Sequence, residues 1–281
     1  MHYQKFIPTT ELQSFVECFY EMSGFVENEL DVQSPPSCYG AIVINDGDAY
    51  LAYQGNNEKT TVPKAFVCGI FTSIYHLVLK GKINQVGVVF KSTAIHNVFN
   101  LRMSMLVNSR MDLHLLLGEE SQPLIQSISH ATCIEDKIKV LEDFLLALIP
   151  QAKSRLSIID DVAFFMDEKA GRVVIEEVAG RYHISKRYLE KRFLEKVGVS
   201  PKFYARMKRF GKLANKAVHA SKIDWQDIVE ENGLHDQSHL VKEYIEFNKI
   251  SPAKYYQKHQ EMIRFVDDIN LYKPKQRKEE H

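Results

Sequence analysis

Residues 175–193 constrain the fold of this chain most strongly. Their apolar side chains fall at helical spacing in two short runs, residues 175–179 and residues 189–193. Between the runs, Ser185 can cap a new helix by accepting a backbone N–H bond, which gives that helix a defined start. The outward positions of the second helix are polar and mostly cationic, as in a helix that enters the major groove of DNA. The stretch therefore predicts a helix-turn-helix.

The same pattern occurs a second time further along the chain. Residues 227–244 repeat the two apolar runs, and each copy is followed by a proline eight residues after its last aromatic anchor. These prolines are Pro201 and Pro252. A repeat of about fifty residues, with turn and cap chemistry in the same places, predicts two copies of one supersecondary unit.

A set of residues in both copies is typical of one family of regulators. They are Ser185, Tyr188, Leu189, Phe193, Gly198, Ser200 and Pro201, followed by Trp225, Ile228, Gly233, Asp236, Gln237, Ser238, His239, Ser251, Pro252 and Tyr256. With these residues, the segment 172–256, about a third of the chain, resembles the DNA-binding domain of AraC-type (AraC/XylS family) transcription regulators. The second copy departs from the pattern at Lys249, which occupies the position of Gly198. Positive φ there is costly for a residue with a Cβ atom.

The resemblance implies DNA contacts position by position. The positions expected to face bases are Arg187, Glu190 and Lys191 in the first unit and Gln237, Ser238 and Lys242 in the second. The positions expected to contact the DNA backbone are Lys186, Arg192, Arg206 and His239. For His239, completion of the helix start is an equal alternative. The chemistry agrees, because Arg and Lys suit guanine edges, Gln suits adenine and Glu can accept from cytosine.

Charge is distributed unevenly along the chain. The 281 residues, a length that favours two domains, contain 36 basic and 36 acidic side chains. Residues 1–149 hold 10 basic and 16 acidic ones, whereas residues 181–216 hold 12 basic and 2 acidic ones. A solvated helical face explains such a basic run as well as phosphate attraction does. The double motif decides in favour of double-stranded DNA as the partner.

The four cysteines and the overall hydropathy indicate the compartment. Cys18, Cys38, Cys68 and Cys133 are widely spaced and form no paired motif, which favours reduced thiols. The chain offers no uninterrupted apolar run of about 18 residues and no secretory signal. We therefore expect a soluble, cytoplasmic protein without a membrane partner.

The N-terminal third is expected to be mostly strand. After Thr9 and Thr10, the apolar residues between Leu12 and Phe19 have helical spacing and predict a short amphipathic helix. Residues 38–95 contain five short segments rich in β-branched and aromatic residues. A hairpin is predicted at residues 45–47, Asn-Asp-Gly, and a strand break at Gly81. These short segments predict a small antiparallel sandwich or barrel, and the resemblance to AraC-type regulators implies a cupin-like barrel.

The following segment, residues 94–150, is predicted to be helical and to end at Pro150. The polar residues 151–155 form the predicted linker. The fold class is accordingly α+β, with a cupin-like barrel and its helices ahead of an all-α domain with two helix-turn-helix units. The expected domains are a β-rich sensing or dimerisation domain at 1–150, the linker, a DNA-binding domain at 156–262 and a charged tail at 263–281.

An apolar stripe on the last of these helices has two interpretations. The stripe consists of Ile134, Ile138, Leu141, Leu145 and Leu148, spaced four, three, four and three residues apart. It either packs against the chain's own barrel or is buried against a second subunit. Acidic residues such as Glu142 flank it, so facing helices in a homodimer would have to be staggered.

The chemistry of an enzyme is not evident in the sequence. A metal-dependent cupin enzyme needs convergent histidines and a carboxylate, whereas residues 38–95 contain only His76, with His96 just beyond. Both are expected to be surface or packing residues. Cys38 is either a reactive thiol or a small buried hydrophobe. We predict no catalytic residue, no metal site and no cofactor.

The function predicted from these features is sequence-specific regulation of transcription. The resemblance implies RNA polymerase as a partner, a small-molecule effector in the N-terminal domain and a homodimer. Two alternatives stay open, a cupin-like enzyme fused to a DNA-binding domain, and a protein-binding co-regulator without specific DNA recognition. Lys249 is the residue that keeps the second alternative open.

Overall fold

The structure is a computed structural model that describes residues 1–219 together with residues 245 and 247. One antiparallel sheet comes first in the chain, and helices follow it. The strands are β1 His2–Phe6, β2 Val16–Ser34, β3 Gly40–Asn45, β4 Leu51–Tyr53, β5 Thr60–Thr61, β6 Ala65–Cys68, β7 Tyr75–Phe90 and β8 Arg110–Asp112. The predicted α+β fold class is confirmed.

Two long strands form the centre of the sheet. The strand order is β1-β2-β7-β3-β6-β8, and β4 pairs with both β5 and β7. Strands β2 and β7 pair antiparallel from Val16 opposite Phe90 to Ser34 opposite Tyr75. Because successive side chains of a strand point to opposite faces, both faces of the sheet can carry a core.

Strand β3 illustrates how the two faces are used. Ile42 and Ile44 belong to the cluster that the sheet shares with the helices after it. Val43, which lies between them in the strand, points to the other face. It belongs with Phe66 and Leu79 to a second cluster, which the sheet itself encloses. The sheet is therefore apolar on both faces, as expected for a sheet that curls around one core and is covered by helices over the other.

The prediction of an amphipathic helix near the N-terminus is wrong. Only Thr10–Leu12 form a 3-10 turn, and β2 begins at Val16. The residues chosen for that helix are nevertheless buried, including Phe15 and Phe19. An irregularity in the pairing with β7 between Val16 and Cys18 shifts the alternation of the strand. A β-bulge adds one residue to a strand and so interrupts the strict alternation of buried and exposed side chains. Over these few residues, the spacing of the buried side chains therefore resembles that of a helix.

The hairpin predicted at residues 45–47 and the break predicted at Gly81 are also wrong. Strands β3 and β4 do not pair with each other, because each pairs with β7. The loop between them stays attached to β7, where the N–H of Asp48 donates to the carbonyl of Lys82 over 2.7 Å. Gly81 lies inside β7 with φ of +77°, a conformation that glycine adopts without strain. It bends one continuous strand instead of separating two.

The helices of the described residues cover one face of the sheet and then build the C-terminal part. They are α1 Ala94–Phe99, α2 Leu113–Leu117, α3 Ser121–His130, α4 Ile134–Ser154, α5 Ile158–Glu168, α6 Ile175–Arg181, α7 Lys186–Val197 and α8 Pro201–His219. A 3-10 turn, Met103–Met105, follows α1, and another, Gly118–Glu120, precedes α3.

Helix α4 is longer than predicted. It passes through Pro150 and continues to Ser154, so its predicted end at Pro150 is wrong, and most of the predicted linker 151–155 is helical. A proline inside a helix removes one backbone hydrogen bond. Burial of Ile149 and Ala152 in the core holds the last turn in place despite that loss.

The apolar stripe of α4 is covered by the chain's own core. Ile138, Leu141 and Leu145 are at most 2% exposed, and Ile134 and Leu148 pack against the same cluster. Of the two interpretations of the stripe, the intramolecular one agrees with this packing. The stripe is consequently not available to a second subunit.

Candidate nucleic-acid interface

The first predicted helix-turn-helix is formed by α6 and α7. The apolar residues expected to face inward are buried, among them Val178 on α6 and Leu189 and Phe193 on α7. Ser185 caps α7 as predicted, because its Oγ accepts a hydrogen bond of 3.1 Å from the N–H of Tyr188. In the turn, His183 has φ of +52°.

The end of α7 is defined by glycine. Gly198 has φ of +95° and closes the helix in the left-handed conformation. Pro201 then opens α8 at its first turn, where a proline loses no backbone hydrogen bond. The turn and the Ser185 cap predicted from the sequence of the first unit are therefore confirmed.

The residues predicted to face bases lie on the outer side of α7. Arg187, Glu190 and Lys191 are all exposed. Positions three and four apart share one face of a helix, so these three side chains form one surface. Tyr188 is 42% exposed beside them, and sequence reasoning gave it no contact role.

The residues predicted to contact the DNA backbone differ from one another in exposure and in their neighbours. Lys186 is exposed, and its ammonium forms a 2.6 Å ion pair with Glu176 on α6. Arg192 is half-buried and pairs with Glu195 over 2.5 Å. The guanidinium of Arg206, on α8, lies 5.5 Å from the ring centroid of Phe247. Two of these cations thus have an acidic neighbour that a phosphate would have to replace.

Lys202 is a further basic residue on this side of the molecule. It is exposed on α8, and its charge, after the larger effect of the Lys186 hydrogen bond, helps to hold the pKa of Glu176 below its usual value. Lys202 therefore lies near the Lys186–Glu176 pair. Lys202 is one of the basic residues of the run 181–216, but the sequence of that run does not show which of its side chains point outward.

The second helix-turn-helix lies outside the described residues. This applies to the predicted base-facing residues Gln237, Ser238 and Lys242, and to His239 and Lys249. Their predicted roles stay predictions. Phe247, which is described, is 2% exposed and belongs to the cluster formed by α5 to α8.

One basic residue of α7 points inward. Lys196 is 1% exposed, and its ammonium donates three hydrogen bonds: 2.6 Å to Asp160 Oδ2, 2.9 Å to Asn97 Oδ1 and 2.8 Å to the carbonyl of Arg155. Asn97 lies on α1 of the N-terminal part, and its Nδ2 donates 2.7 Å to the other oxygen of Asp160. Burial raises the pKa of Asp160, but hydrogen bonds from Lys196, Thr93 and Asn97 outweigh that effect and lower it.

A second polar cluster joins the same two parts of the chain. Asp167, near the end of α5, accepts hydrogen bonds from Tyr204 over 2.6 Å and from Ser92 over 2.5 Å. Lys208 on α8 pairs with Asp167 at 2.8 Å and lies 4.2 Å from the ring centroid of Tyr39. Ser92 and Tyr39 belong to the N-terminal part, so α5 is bonded to that part near both of its ends.

Cys38 lies in the apolar cluster of the C-terminal helices. It is 8% exposed and packs there with Ile70, another residue of the N-terminal part. Burial raises the pKa of the Cys38 thiol to about 12, which keeps it in the less reactive thiol form. Of its two interpretations, the small buried hydrophobe agrees with these surroundings.

The two histidines weighed as metal ligands have other partners. His96 is 8% exposed and its Nδ1 lies 2.7 Å from the carbonyl of Leu101. The Nδ1 of His76 lies 2.7 Å from Asp31 on the neighbouring strand. In the part of the chain that the structure describes, no group of three or more His, Cys, Asp or Glu residues could hold a metal ion.

Two family models match the chain. Residues 4–112, from β1 to the end of β8, match a domain of unknown function, DUF6597. Residues 178–258, which begin within the first predicted unit and include the second, match a helix-turn-helix domain of the kind found in AraC-type regulators. The chain carries an AraC-type helix-turn-helix domain. It is a DNA-binding transcription regulator.

Several solved structures resemble the chain or part of it. ToxT from Vibrio cholerae has a TM-score of 0.46 at 10% identity and covers 84% of this chain and 97% of its own. Wild-type ToxT with bound unsaturated fatty acid scores 0.45 at 12% identity, covering 84% and 94%. The DNA-binding domain of AdpA in complex with a target DNA scores 0.33 at 19% identity, covering 37% and 94%. No curated protein sequence matches the chain.

A helix needs about 20 predominantly apolar residues to span a bilayer. Among the described residues, no helix is both long and apolar enough to cross a membrane.

Proposed function

We propose that this regulator recognises specific DNA sequences, with α7 as the recognition helix of its first unit. The observation that supports the proposal is the exposed surface of Arg187, Glu190 and Lys191 on a helix whose opposite face is buried. Guanidinium and ammonium groups bond guanine edges, and a carboxylate can accept from the amino group of cytosine. Such a surface distinguishes bases as well as attracting phosphates.

The contacts to the DNA backbone are assigned to the cations around this surface. Lys186, Arg192 and Arg206 are proposed for this role, with Lys202 added because it is exposed near Lys186. The ion pairs of Lys186 and Arg192 are exposed or half-exposed and therefore weak, so a phosphate can replace the carboxylate at little cost. In the second unit, Gln237, Ser238 and Lys242 are proposed to face bases, and His239 is proposed to contact the DNA backbone.

Selection of bound duplexes from a random pool tests this function. The full chain should enrich a defined motif that extends over two major-groove segments about 34 Å apart on one face of the duplex, because each unit supplies one recognition helix. Footprinting on the enriched duplex should protect both segments. The double variant Gln237→Ala with Lys242→Ala should lose protection of the second segment alone.

Two outcomes of this experiment would contradict the proposal. A pool without an enriched motif would show that binding is non-specific, as expected for a co-regulator that does not recognise bases. Full protection of the second segment by the double variant would remove Gln237 and Lys242 from base recognition.

The N-terminal domain is proposed to respond to a small anionic effector. The guanidinium of Arg110 lies between aromatic rings, 4.6 Å from the centroid of Phe71 and 4.9 Å from that of Tyr75. Burial raises the pKa of the Tyr75 hydroxyl, and the charge of Arg110 opposes that rise. A half-buried guanidinium between aromatic rings favours a ligand with acceptor oxygens.

Thermal unfolding in the presence of acetate, benzoate and hexanoate tests this effector class. At least one of these anions should raise the midpoint of the full chain by ligand stabilisation, and Arg110→Met should abolish the rise. Arg102→Met, which removes an exposed arginine of the same domain, is the control for loss of the charge. Equal rises in both variants would contradict the assignment to Arg110. RNA polymerase and a homodimer remain predicted partners.

A further inference from the structure

We propose that Asn97, a residue of the N-terminal domain, is a positioning residue for DNA recognition that acts on α7 through Lys196. This inference rests on the proposed function, since it takes α7 to be the helix that contacts bases. Asn97 itself is 1% exposed on α1 and cannot reach DNA. Its effect must therefore pass through the helix that it holds.

The geometry around Lys196 permits one position of the ammonium group. A lysine ammonium has three protons, and each has its own acceptor here, on α1, on α5 and at the residue after α4. Asn97 is bonded in turn to Asp160 over 2.7 Å. The side chain of Arg155 closes the ring of contacts by donating 2.8 Å to the carbonyl of Asn97. All of these groups are fixed relative to one another.

Helix α7 transmits this fixed position to its outer surface. Lys196 lies five residues after Lys191 and nine after Arg187 on one uninterrupted helix. At a rise of 1.5 Å per residue, these distances are about 7.5 Å and about 13.5 Å along the axis. Any rotation or tilt of the helix at Lys196 therefore moves the side chains that are proposed to contact bases.

A second contact holds the same end of α7 against the N-terminal domain. At Gly198, an added Cβ atom would lie 2.9 Å from the carbonyl oxygen of Met103 and 2.9 Å from a methyl group of Val107. The backbone of the N-terminal domain thus approaches α7 as closely as a glycine allows. Residues outside the helix-turn-helix domain therefore form part of the surface against which the recognition helix packs.

The chemistry of the network supports a role in orientation more than in stability. Transfer of an ammonium and a carboxylate from water is costly, and well-packed hydrocarbon at such positions often stabilises a fold equally well or better. Hydrocarbon contacts tolerate several arrangements, whereas three directed hydrogen bonds to one ammonium specify a single one. Orientation is the property that a base-contacting helix needs.

The test combines DNA binding with a distance measurement on the full chain. Asn97→Leu removes the contacts of the amide, and Lys196→Met removes the ammonium but keeps the apolar stem. Lys153→Met, at an exposed position of α4, removes the same charge as Lys196→Met and is the matched control. Dissociation constants are measured for the duplex enriched by selection and for a duplex of random sequence.

We expect Asn97→Leu and Lys196→Met to weaken binding to the selected duplex roughly tenfold, which is the size of one good base contact. Binding of the random duplex should change less than about twofold for Asn97→Leu, because attraction to phosphates depends on charge. Lys153→Met should retain the preference for the selected duplex. Equal weakening on both duplexes, or unchanged affinity in both folded variants, would overturn the proposal.

The distance measurement separates this inference from the proposed function. Spin labels are placed at the exposed Cys133 of the N-terminal domain and, by Leu194→Cys, on the exposed side of α7. Without DNA, the distance distribution should be narrow in the parent and broadened or shifted in both variants. Unchanged distributions would overturn the role of Asn97 and Lys196. If no duplex is enriched, base recognition fails, while a changed distribution still supports the positioning of α7.

Discussion

The carboxylate of Glu142 accepts a hydrogen bond of 3.1 Å from the backbone N–H of Thr9, 133 residues away in the sequence. Glu142 is 3% exposed, although its position beside the apolar stripe of α4 suggested a solvated acidic flank. Helix α4 is therefore bonded to the turn that precedes β2. It is an internal element of the N-terminal domain.

Replacement of Leu141 or Leu145 by Asp should unfold the N-terminal domain. Each leucine is 1% exposed, and burial of a carboxylate without a partner costs about 4 kcal/mol or more. Circular dichroism and solubility of the full chain would report this loss, and Leu115→Asp, at a position 76% exposed, is the control. A folded monomer from either core variant, starting from a dimeric parent, would instead make the stripe a subunit interface.

A homodimer remains a prediction, but its interface is expected elsewhere than at the stripe of α4. Light scattering of the full chain at micromolar concentration would measure the oligomeric state. A monomer would remove the homodimer from the predicted partners.

Replacement of Arg187 or Lys191 by Ala should weaken binding of the selected duplex by ~1 to 3 kcal/mol. Both side chains are exposed next to the buried Leu189, so their loss leaves the core of the unit intact. Specificity should relax at one or two adjacent base pairs in a binding assay with single-base variants of the duplex. Equal losses on selected and random DNA would show that these side chains contact only phosphates.

Replacement of Ser185 by Ala should destabilise the first helix-turn-helix by ~1 kcal/mol, because the N–H of Tyr188 loses its acceptor. Urea unfolding of the full chain, followed by far-ultraviolet circular dichroism, measures this change. Ser185→Asp keeps an acceptor at the same position and should restore most of the stability. Equal destabilisation by both replacements would mean that the cap bond is not the cause.

The stability of the interdomain network should depend on pH through Asp160. Its pKa is lowered in the folded chain, because hydrogen bonds from Lys196 and other donors outweigh the effect of burial. An unfolded Asp has a pKa of about 3.9, so below that value the unfolded chain binds the proton first. The stabilisation is present above about pH 4 and is lost as the pH falls through the lower folded value.

Urea unfolding between about pH 5 and pH 3 would measure this dependence. The free energy of unfolding should fall more steeply with acidity in the parent than in Asp160→Asn, which cannot titrate at this position. Asp161→Asn, at the exposed neighbouring position, is the control and should keep the slope of the parent. Equal slopes in the parent and in Asp160→Asn would contradict the prediction.

Local chemistry explains which features were predictable from the sequence. The first helix-turn-helix depends on neighbours within a few residues, namely the Ser185 cap, the spacing of Leu189 and Phe193, and Gly198 at the helix end. The cap and the apolar spacing were predicted correctly. The start of β2 was predicted wrongly as a helix. The burial pattern of its first residues follows from a bulge opposite Phe90, which is far away in the sequence.

Lys196 shows the same limit within the candidate site. Its spacing from Leu189 and Phe193 places it on the buried face of α7, which was a usable signal. Its charge suggested phosphate attraction instead, because the three acceptors that permit burial come from residues 36 to 99 positions away. A buried cation can be recognised only when such distant partners are known.

The continuity of α4 through Pro150 to Ser154 determines how this protein tolerates changes in length. A flexible connection absorbs an inserted residue with little effect, whereas each residue added to a helix turns everything after it by about 100° and advances it by about 1.5 Å. One residue inserted within α4 would therefore move Arg155, whose carbonyl accepts a hydrogen bond from Lys196, relative to the rest of the N-terminal domain. Substitutions along α4 keep this register, but a single insertion would turn the helices after it relative to the N-terminal domain.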